Sequence, residues 1–297
     1  MPNASSQPNR TNARTTVGVF DSGFGGLTVL RELLPRIPGA HFVYLGDTAR
    51  LPYGSKSPAT IARYAVESAR FLEGHGANHL VIACNTASAL ALPEITSGVG
   101  IPVTGVIAPA VAATHALHPG AEVLVLATAA TVHSHAYRTR CEAYGLRATE
   151  KACPLLVPLV EEGWLPDQTH AGLLSSGAEN EVPPEHHVVR EILRIYLAEA
   201  LATCTPQAVI LGCTHYPLLA GAIEQTLRAL GSDAQVMDSA EATAIAVQAT
   251  LRPLPQDVSR PATLEFFATD SVDKFERLGS SFLGRPVEGV RLLDLGG

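Results

Sequence analysis

Two cysteines, Cys84 and Cys213, stand in surroundings that suit chemistry. Each follows an apolar run and precedes polar residues, as VIACNTASAL (81–90) and VILGCTHYPLL (209–219) show. Each also precedes a predicted helix start, where the helix dipole lowers the pKa of a thiol. The thiolate is the reactive form of cysteine, so the pattern predicts a reactive pair. The other three cysteines lack this context and are expected to be structural: Cys141, Cys153 and Cys204.

A further candidate is Asp21, in the glycine-rich segment DSGFGG (21–26) between a predicted strand and a predicted helix. The segment suggests a dinucleotide-binding loop, but the GxGxxG fingerprint fails because Thr28 stands at the third glycine position. The phosphate-binding pattern GxxxxGK[ST] is absent as well. The glycines alone would explain a tight turn. An acid at the end of a strand also suits acid–base chemistry, so Asp21 is a candidate site residue.

Other polar residues give weaker signals. His215 lies beside Cys213 and is therefore a candidate proton-handling residue. Tyr53, in the segment PYG, either belongs to a simple turn or aims a phenol into a site. Glu161 and Glu162 end an apolar helical segment, and their spacing alone favours a solvated pair. The segment His133-Ser134-His135 has no acid at helical spacing, so we expect no metal there.

The elements that must position these residues alternate along the chain. Candidate strands are mostly near-continuous apolar runs, which are typical of parallel sheets covered on both faces. Helical patterns separate them; one is capped by Ser57, with Pro58 in its first turn. This alternation predicts an α/β fold. The predicted strands are 16–21, 41–47, 79–84, 101–106, 121–128, 207–213, 234–238 and 263–270.

Length, composition and charge exclude several classes of protein. The chain has 297 residues, 46% of them hydrophobic, which is enough for a full core. Its net charge of −7 and the lack of a basic stripe argue against a nucleic-acid surface. No apolar run reaches the roughly 18 residues that a membrane span needs. Five cysteines without a CxxC pair argue against a disulfide scaffold or zinc ribbon and favour a reducing, cytoplasmic setting. Residues 1–16 are predicted to form a disordered arm.

The duplicated cysteine motif predicts two related α/β halves. Each half presents its cysteine at the carboxyl end of a strand, where ligands bind in open α/β sheets. The two cysteines lie about one domain length apart. We therefore expect two pseudo-symmetric parallel-sheet domains with the active site in the cleft between them. The segment 175–187 is expected to be a loop insertion or a mobile cover.

Several segments together resemble the glutamate racemases of the cofactor-independent aspartate/glutamate racemase superfamily. The match spans about residues 17 to 285, and its most specific parts are the ACNT and GCTHYPL motifs around the two cysteines. Supporting segments are VFDSGFGGLTVL (19–30), GDTARLPYGSKS (46–57), GVIAPA (105–110), CPLLVPLVEEG (153–163), ATDSVDKF and SFLG. The resemblance implies a first domain of residues 17–108 with 219–297 and a second domain of residues 109–218.

The resemblance also implies an activity and a set of site residues. It implies interconversion of L- and D-glutamate without a cofactor or a metal, with Cys84 and Cys213 as the two proton carriers. Glu161, which the spacing alone did not favour, gains a catalytic role with Asp21 and His215. The implied substrate-binding residues are Asp21, Ser22, Tyr53, Gly54, Asn85, Thr86, Thr214 and His215. The partner is the small-molecule substrate, with no nucleic acid or membrane and with a possible second copy of the chain.

Three other functions stay open on the sequence. The same scaffold could racemise aspartate or a hydantoin, or decarboxylate a related acid, and the cysteine pair alone does not separate these. The chain could also be a catalytically idle regulator that binds a partner protein, although both cysteines keep their polar neighbours. An NAD-dependent dehydrogenase is opposed by the failed GxGxxG pattern.

Overall fold

The computed structural model describes residues 14–165, 184–251 and 260–296. Helices and strands alternate along this part of the chain, and every strand pair is parallel, so the α/β prediction is confirmed. The strands, in chain order, are β1 (Thr16–Asp21), β2 (His41–Gly46), β3 (His79–Ile82), β4 (Val103–Gly105), β5 (Glu122–Ala127), β6 (Arg147–Ala152), β7 (Ala208–Gly212), β8 (Gln235–Asp238), β9 (Thr263–Ala268) and β10 (Arg291–Leu292).

Helices follow most of the strands and cover the sheets. Helix α2 begins as the sequence predicts, because the Ser57 hydroxyl accepts a hydrogen bond from the Thr60 N–H and Pro58 takes the first position. The helices are α1 (Leu27–Arg36), α2 (Pro58–Gly74), α3 (Asn85–Leu90), α4 (Leu92–Gly98), α5 (Ile107–Leu117), α6 (Ala129–Ser134), α7 (Ala136–Ala143), α8 (Leu156–Glu161), α9 (Pro184–Leu201), α10 (Ala220–Ala229), α11 (Ser239–Leu251) and α12 (Val272–Leu283).

The strands form two separate sheets. The first has the order β10-β9-β2-β1-β3-β4, and the second has the order β6-β5-β7-β8. The central strands β1, β3, β5 and β7 are buried along almost their whole length, which explains their apolar sequences. Helix α11 packs against α1 and α5, so the apolar core runs without a break from one half to the other. The two separate helix-covered sheets confirm the two-domain architecture that the duplicated motif predicts.

The sheets depart from the expected division of the chain at one place. Strand β8 pairs with β7 in the second sheet, although the resemblance assigned residues from 219 onward to the first domain. The reason is that β7, α10 and β8 form one β–α–β unit whose crossover helix packs on β8. The chain returns to the first sheet only at β9, which pairs with β2.

Two segments expected to be irregular are ordered where the structure describes them. Thr16 belongs to β1, and the Arg14 guanidinium donates to the carbonyl oxygens of Gly39 and Ala40 at 2.9 and 3.3 Å. The predicted arm therefore does not include residues 14–16, and its residues 1–13 lie outside the described residues. Likewise, residues 184–187 of the predicted loop 175–187 form the start of α9, whereas 175–183 lie outside the described residues.

Candidate active site

A cavity of about 590 Å³ opens between the two halves, at the carboxyl ends of the central strands. Cys84, two residues after β3, and Cys213, directly after β7, both line it. The two sheets thus bring to one cavity two thiols that lie far apart in the sequence. Of the residues predicted from the sequence, the following line it: Ser22, Tyr53, Gly54, Cys84, Asn85, Thr86, Glu161, Cys213, Thr214 and His215.

Cys84 caps the N-terminus of α3. Its sulfur accepts a hydrogen bond from the Ala87 N–H at 3.4 Å, and its S–H donates to the Ser22 hydroxyl oxygen at 3.4 Å. The expectation of a lowered pKa is wrong for this thiol. Burial and, to a smaller extent, the nearby Asp21 carboxylate raise the pKa of Cys84 to about 12, because together they outweigh the hydrogen bonds to the sulfur. Cys84 therefore holds its proton at neutral pH.

Cys213 lies in a different electrostatic environment, because three ionisable side chains extend in a row away from its sulfur. His215 Nδ1 lies 3.9 Å from Cys213 Sγ, and His215 Nε2 lies 3.2 Å from Glu161 Oε1. On the far side, Lys274 Nζ from α12 lies 3.5 Å from Glu161 Oε2. Burial alone would lower the pKa of His215, but Cys213 and Glu161 raise it to about 10. The charged imidazolium thus places a positive charge beside the Cys213 sulfur.

Glu161 is held in its ionised form by the same neighbours. Burial acts to raise its pKa, but the contacts with His215 and Lys274 lower it below the ordinary value. Because α8 carries Glu161 and α12 carries Lys274, this ion pair also joins two elements far apart in the sequence. The spacing of Glu161 and Glu162 favoured two solvated carboxylates, but the structure shows that the Glu161 carboxylate contacts and orients His215.

Asp21 lies behind the cavity wall rather than in it. Its side chain is buried, and its Oδ2 accepts a hydrogen bond from the Gly23 N–H at 2.9 Å. Its other oxygen, Oδ1, has no hydrogen-bond partner among the described residues. Burial raises the pKa of Asp21, while the charge of His215 and the backbone N–H groups of the glycine-rich turn lower it. Asp21 therefore acts on both His215 and Cys84 through its charge.

Two predicted substrate contacts already have partners of their own. The Tyr53 hydroxyl donates to Asp47 Oδ2 at 2.6 Å, so this phenol faces the protein and offers its ring to the cavity. Asn85 Oδ1 accepts from the Tyr137 hydroxyl at 2.6 Å, which fixes the orientation of the amide. Asn85 Nδ2 has no partner within the described parts of the chain and is left as a buried donor beside the cavity.

Sequence reasoning missed a cluster of hydroxyl groups. Thr86 Oγ1 lies 3.1 Å from Thr128 Oγ1 and 3.3 Å from Thr131 Oγ1, and the latter two lie 3.0 Å apart. Thr86 comes from the first half and the other two from the second, so the cluster spans the cleft. The available signal was the position of Thr128, directly after β5, the strand beside β7.

The cavity carries few charges for its size. Its charged side chains are Glu161, Glu162, His215 and Lys274, and the rest of the wall is hydroxyl, amide, thiol, glycine or apolar. Within residues 14–165, 184–251 and 260–296, no three His, Cys, Asp or Glu side chains form a group that could hold a metal ion. Over the same residues, no helix is both long and apolar enough to cross a bilayer.

Comparison with known proteins agrees with this geometry. The family model described as "Asp/Glu/Hydantoin racemase" matches residues 27–247, a span that contains both cysteines and Glu161. The chain belongs to this racemase family. It is thus an amino-acid racemase, an isomerase, and the resemblance drawn from the ACNT and GCTHYPL motifs is confirmed.

Individual racemases match along almost their whole length. The glutamate racemase of Koribacter versatilis is 43% identical over 309 residues, which cover 96% of this chain and 99% of that protein. The glutamate racemase of Geobacter metallireducens is 40% identical and covers 94% and 96%. Among solved structures, glutamate racemase from Francisella tularensis in complex with D-glutamate superposes with a TM-score of 0.80 at 31% identity, over 95% of this chain and 98% of that one.

Proposed function

We propose that this racemase interconverts L- and D-glutamate, with Cys84 and Cys213 as the two acid–base groups. The observation that carries the proposal is that thiols from two different sheets line one cavity of suitable size. The similarity to glutamate racemases, one of them bound to D-glutamate, supports the choice of substrate.

Racemisation has a geometric requirement that this arrangement meets. The α-hydrogen leaves as a proton from one face of the carbon, and a proton must arrive at the opposite face. A single base would have to cross the substrate between the two steps. Two groups on opposite walls of a cleft need no such movement, and a pseudo-symmetric pair of domains supplies them.

The two thiols have different surroundings in this proposal. Cys84 keeps its proton because it is buried and lies near Asp21, so it serves as the acid. Cys213 Sγ lies 3.9 Å from His215 Nδ1, whose ring is held by Glu161, and Cys213 serves as the base. One turnover delivers the Cys84 proton to the substrate carbon and moves the α-proton to Cys213, so the two roles are then exchanged for the opposite enantiomer.

Charge that develops on the substrate must be stabilised by donors fixed in advance, because the chemistry uses only the chain's own residues. At the start of α3, the Ala87 N–H already donates to the Cys84 sulfur. Asn85 Nδ2 and the hydroxyl cluster of Thr86, Thr128 and Thr131 add neutral donors. Enclosure between the two halves keeps water away from these contacts.

The proposal is tested by incubating the purified chain separately with L-glutamate, L-aspartate and a hydantoin, without added cofactor, and following the loss of optical activity. Racemisation of glutamate at a rate far above that of the other two supports it. Preferential turnover of aspartate or a hydantoin would assign the same chemistry to another substrate of the family. Binding of glutamate without racemisation would favour the regulator alternative.

The cellular role is proposed on the same basis. D-glutamate produced by this reaction would be supplied to peptidoglycan synthesis in the cytoplasm, and a second copy of the chain is a candidate partner. Sedimentation of the purified protein at several concentrations tests the homodimer, and D-glutamate auxotrophy of a deletion strain tests the cell-wall role.

A further inference from the structure

Thr28, the residue that breaks the GxGxxG pattern, makes a contact that no glycine could make. It lies in the first turn of α1 and is fully buried. Its hydroxyl is placed to donate to the Gly25 carbonyl oxygen at 2.9 Å and to the Thr214 carbonyl oxygen at 3.1 Å. The first acceptor belongs to its own turn. The second lies 186 positions away, between Cys213 and His215.

The Thr214 carbonyl depends on this contact because its own loop cannot satisfy it. In the turn after β7, the Tyr216 N–H donates to the Cys213 carbonyl and the Leu218 N–H donates to the His215 carbonyl. The residue that should serve Thr214 in the same way is Pro217, which has no N–H. A buried carbonyl without a donor is costly, so the Thr28 hydroxyl fills a gap that the local sequence leaves.

Close packing between the two loops allows the Thr28 hydroxyl to reach this far. A Cβ atom placed on Gly25 would overlap Thr214 Oγ1 and would lie 2.6 Å from His215 Nδ1. The glycine-rich turn therefore lies directly against the loop that carries Cys213. The same turn carries Ser22, whose hydroxyl accepts the hydrogen bond of the Cys84 thiol.

We propose that Thr28 is a positioning residue that fixes the Cys213 loop against the Ser22 turn, so that both thiols keep their places relative to one substrate carbon. This inference rests on the proposed two-cysteine function. Thr28 does not touch the cavity, and its effect passes through the Thr214 carbonyl to the neighbouring Cys213 and His215.

A hydroxyl has one proton for its two acceptors, and the two acceptors differ in what else they receive. The Gly25 carbonyl also accepts from the Thr28 N–H at 3.0 Å, so it keeps a donor when the hydroxyl is removed. The Thr214 carbonyl loses its donor, which is the Thr28 hydroxyl itself. Removal of the hydroxyl is thus expected to loosen the Cys213 loop rather than α1. A base that is less well oriented slows the chemical step more than it weakens substrate binding, so kcat should fall more than KM rises.

The test compares Thr28→Val, Thr28→Ser and the control Thr114→Val with the parent enzyme on both enantiomers of glutamate. Thr114 is also fully buried in a helix, α5, but its hydroxyl bonds only to the Ala110 carbonyl of the same helix. We expect Thr28→Val to lower kcat about tenfold, which corresponds to about 1.4 kcal/mol in the barrier, with KM changed less than about threefold. Thr28→Ser is expected to restore kcat to within about twofold, because it keeps the donor.

The outcomes separate this inference from the function on which it rests. Thermal unfolding identifies a purely structural role, in which Thr28→Val and Thr114→Val lose similar stability and both keep kcat per folded molecule. That result overturns the inference, as does a Thr28→Ser variant as slow as Thr28→Val. If Thr28→Val does not fold, Thr28→Ala against Thr28→Ser gives the same comparison. A parent enzyme that does not racemise glutamate overturns the proposed function and this inference with it.

Discussion

Replacing Glu161 by glutamine tests the chain of charges behind Cys213 most sharply. The substitution keeps the shape of the side chain and removes its negative charge. His215 then loses the anion that lies 3.2 Å from its Nε2, while the contact between its Nδ1 and Cys213 Sγ stays in place. Because burial already acts to lower the pKa of His215, loss of the anion must lower it from its value of about 10.

The size of the change follows from the distance. Two unit charges 3.2 Å apart attract each other by about 5 kcal/mol at an effective dielectric constant of about 20. At about 1.4 kcal/mol per unit, this sets an upper bound of about 4 pKa units. Cys213 supplies part of the total shift, and glutamine keeps a hydrogen-bond acceptor. We therefore expect the pKa of His215 to fall by about 1 to 2 units, to about 8 to 9.

Two measurements read this change. NMR of ¹³C-labelled histidine follows the titration directly, with the His215 resonance assigned from a His215→Asn variant. The alkaline limb of the kcat/KM profile should move down by the same amount, because neutral His215 no longer stabilises charge on the sulfur. Glu162→Gln is the matched control, since it removes the same charge one residue away and should leave the limb in place. A limb that stays in place, or moves up, in Glu161→Gln would refute the reasoning.

The same pKa predicts how stability depends on pH. The folded-state value of His215, about 10, lies above the unfolded value of about 6.5. The group therefore stabilises the fold fully below pH of about 6.5 and loses this contribution as pH rises to about 10. In Glu161→Gln the loss should be complete at a lower pH. Urea unfolding of both proteins across this range measures the difference.

Three further predictions concern neighbouring groups. Lys274→Met should move the alkaline limb of the kcat/KM profile up by about half a pH unit, because Lys274 no longer competes with His215 for the Glu161 carboxylate; the pH dependence of kcat/KM measures this. Gly25→Ala should lower kcat at least about tenfold and cost about 1 to 3 kcal/mol of stability, because the new Cβ presses on His215; kinetics and urea unfolding measure both. Asn85→Ala should raise KM about tenfold through loss of the buried Nδ2 donor and cost about 1 to 3 kcal/mol of stability, because the Tyr137 hydroxyl loses its Asn85 acceptor; kinetics per folded molecule and a melting curve measure the two effects.

The sheet architecture could be predicted because buried parallel strands have apolar sequences. β1, β5 and β7 stood out in the sequence for this reason. β6, with the sequence RATEKA, was missed because it lies at the edge of the second sheet and carries polar residues. β10 was missed because it is only two residues long. The membership of β8 also could not be read locally, since it depends on which neighbour a strand pairs with.

The two cysteines of the cavity could be predicted from local sequence because the motif around them repeats. Cys84 and Cys213 were found because each follows a strand and precedes polar residues. The protonation of Cys84 was predicted wrongly, because burial, which outweighs the helix terminus, is a tertiary property. The hydroxyl cluster around Thr128, the link from Glu161 to Lys274 and the reach of Thr28 to Thr214 all join distant segments. No local pattern carries such pairings.

The two-thiol claim is tested most directly by racemisation of L-glutamate in D₂O by the parent, Cys84→Ser and Cys213→Ser, without added cofactor. Cys204→Ser is the control, because its buried sulfur lies outside the cavity and donates to the Ala200 carbonyl, which a serine hydroxyl can also reach. The account predicts that the parent and the control form D-glutamate with deuterium at the α-carbon. Each of the other variants should lose more than about a hundredfold in rate. Racemisation at the parent rate by either Cys84→Ser or Cys213→Ser would contradict the account.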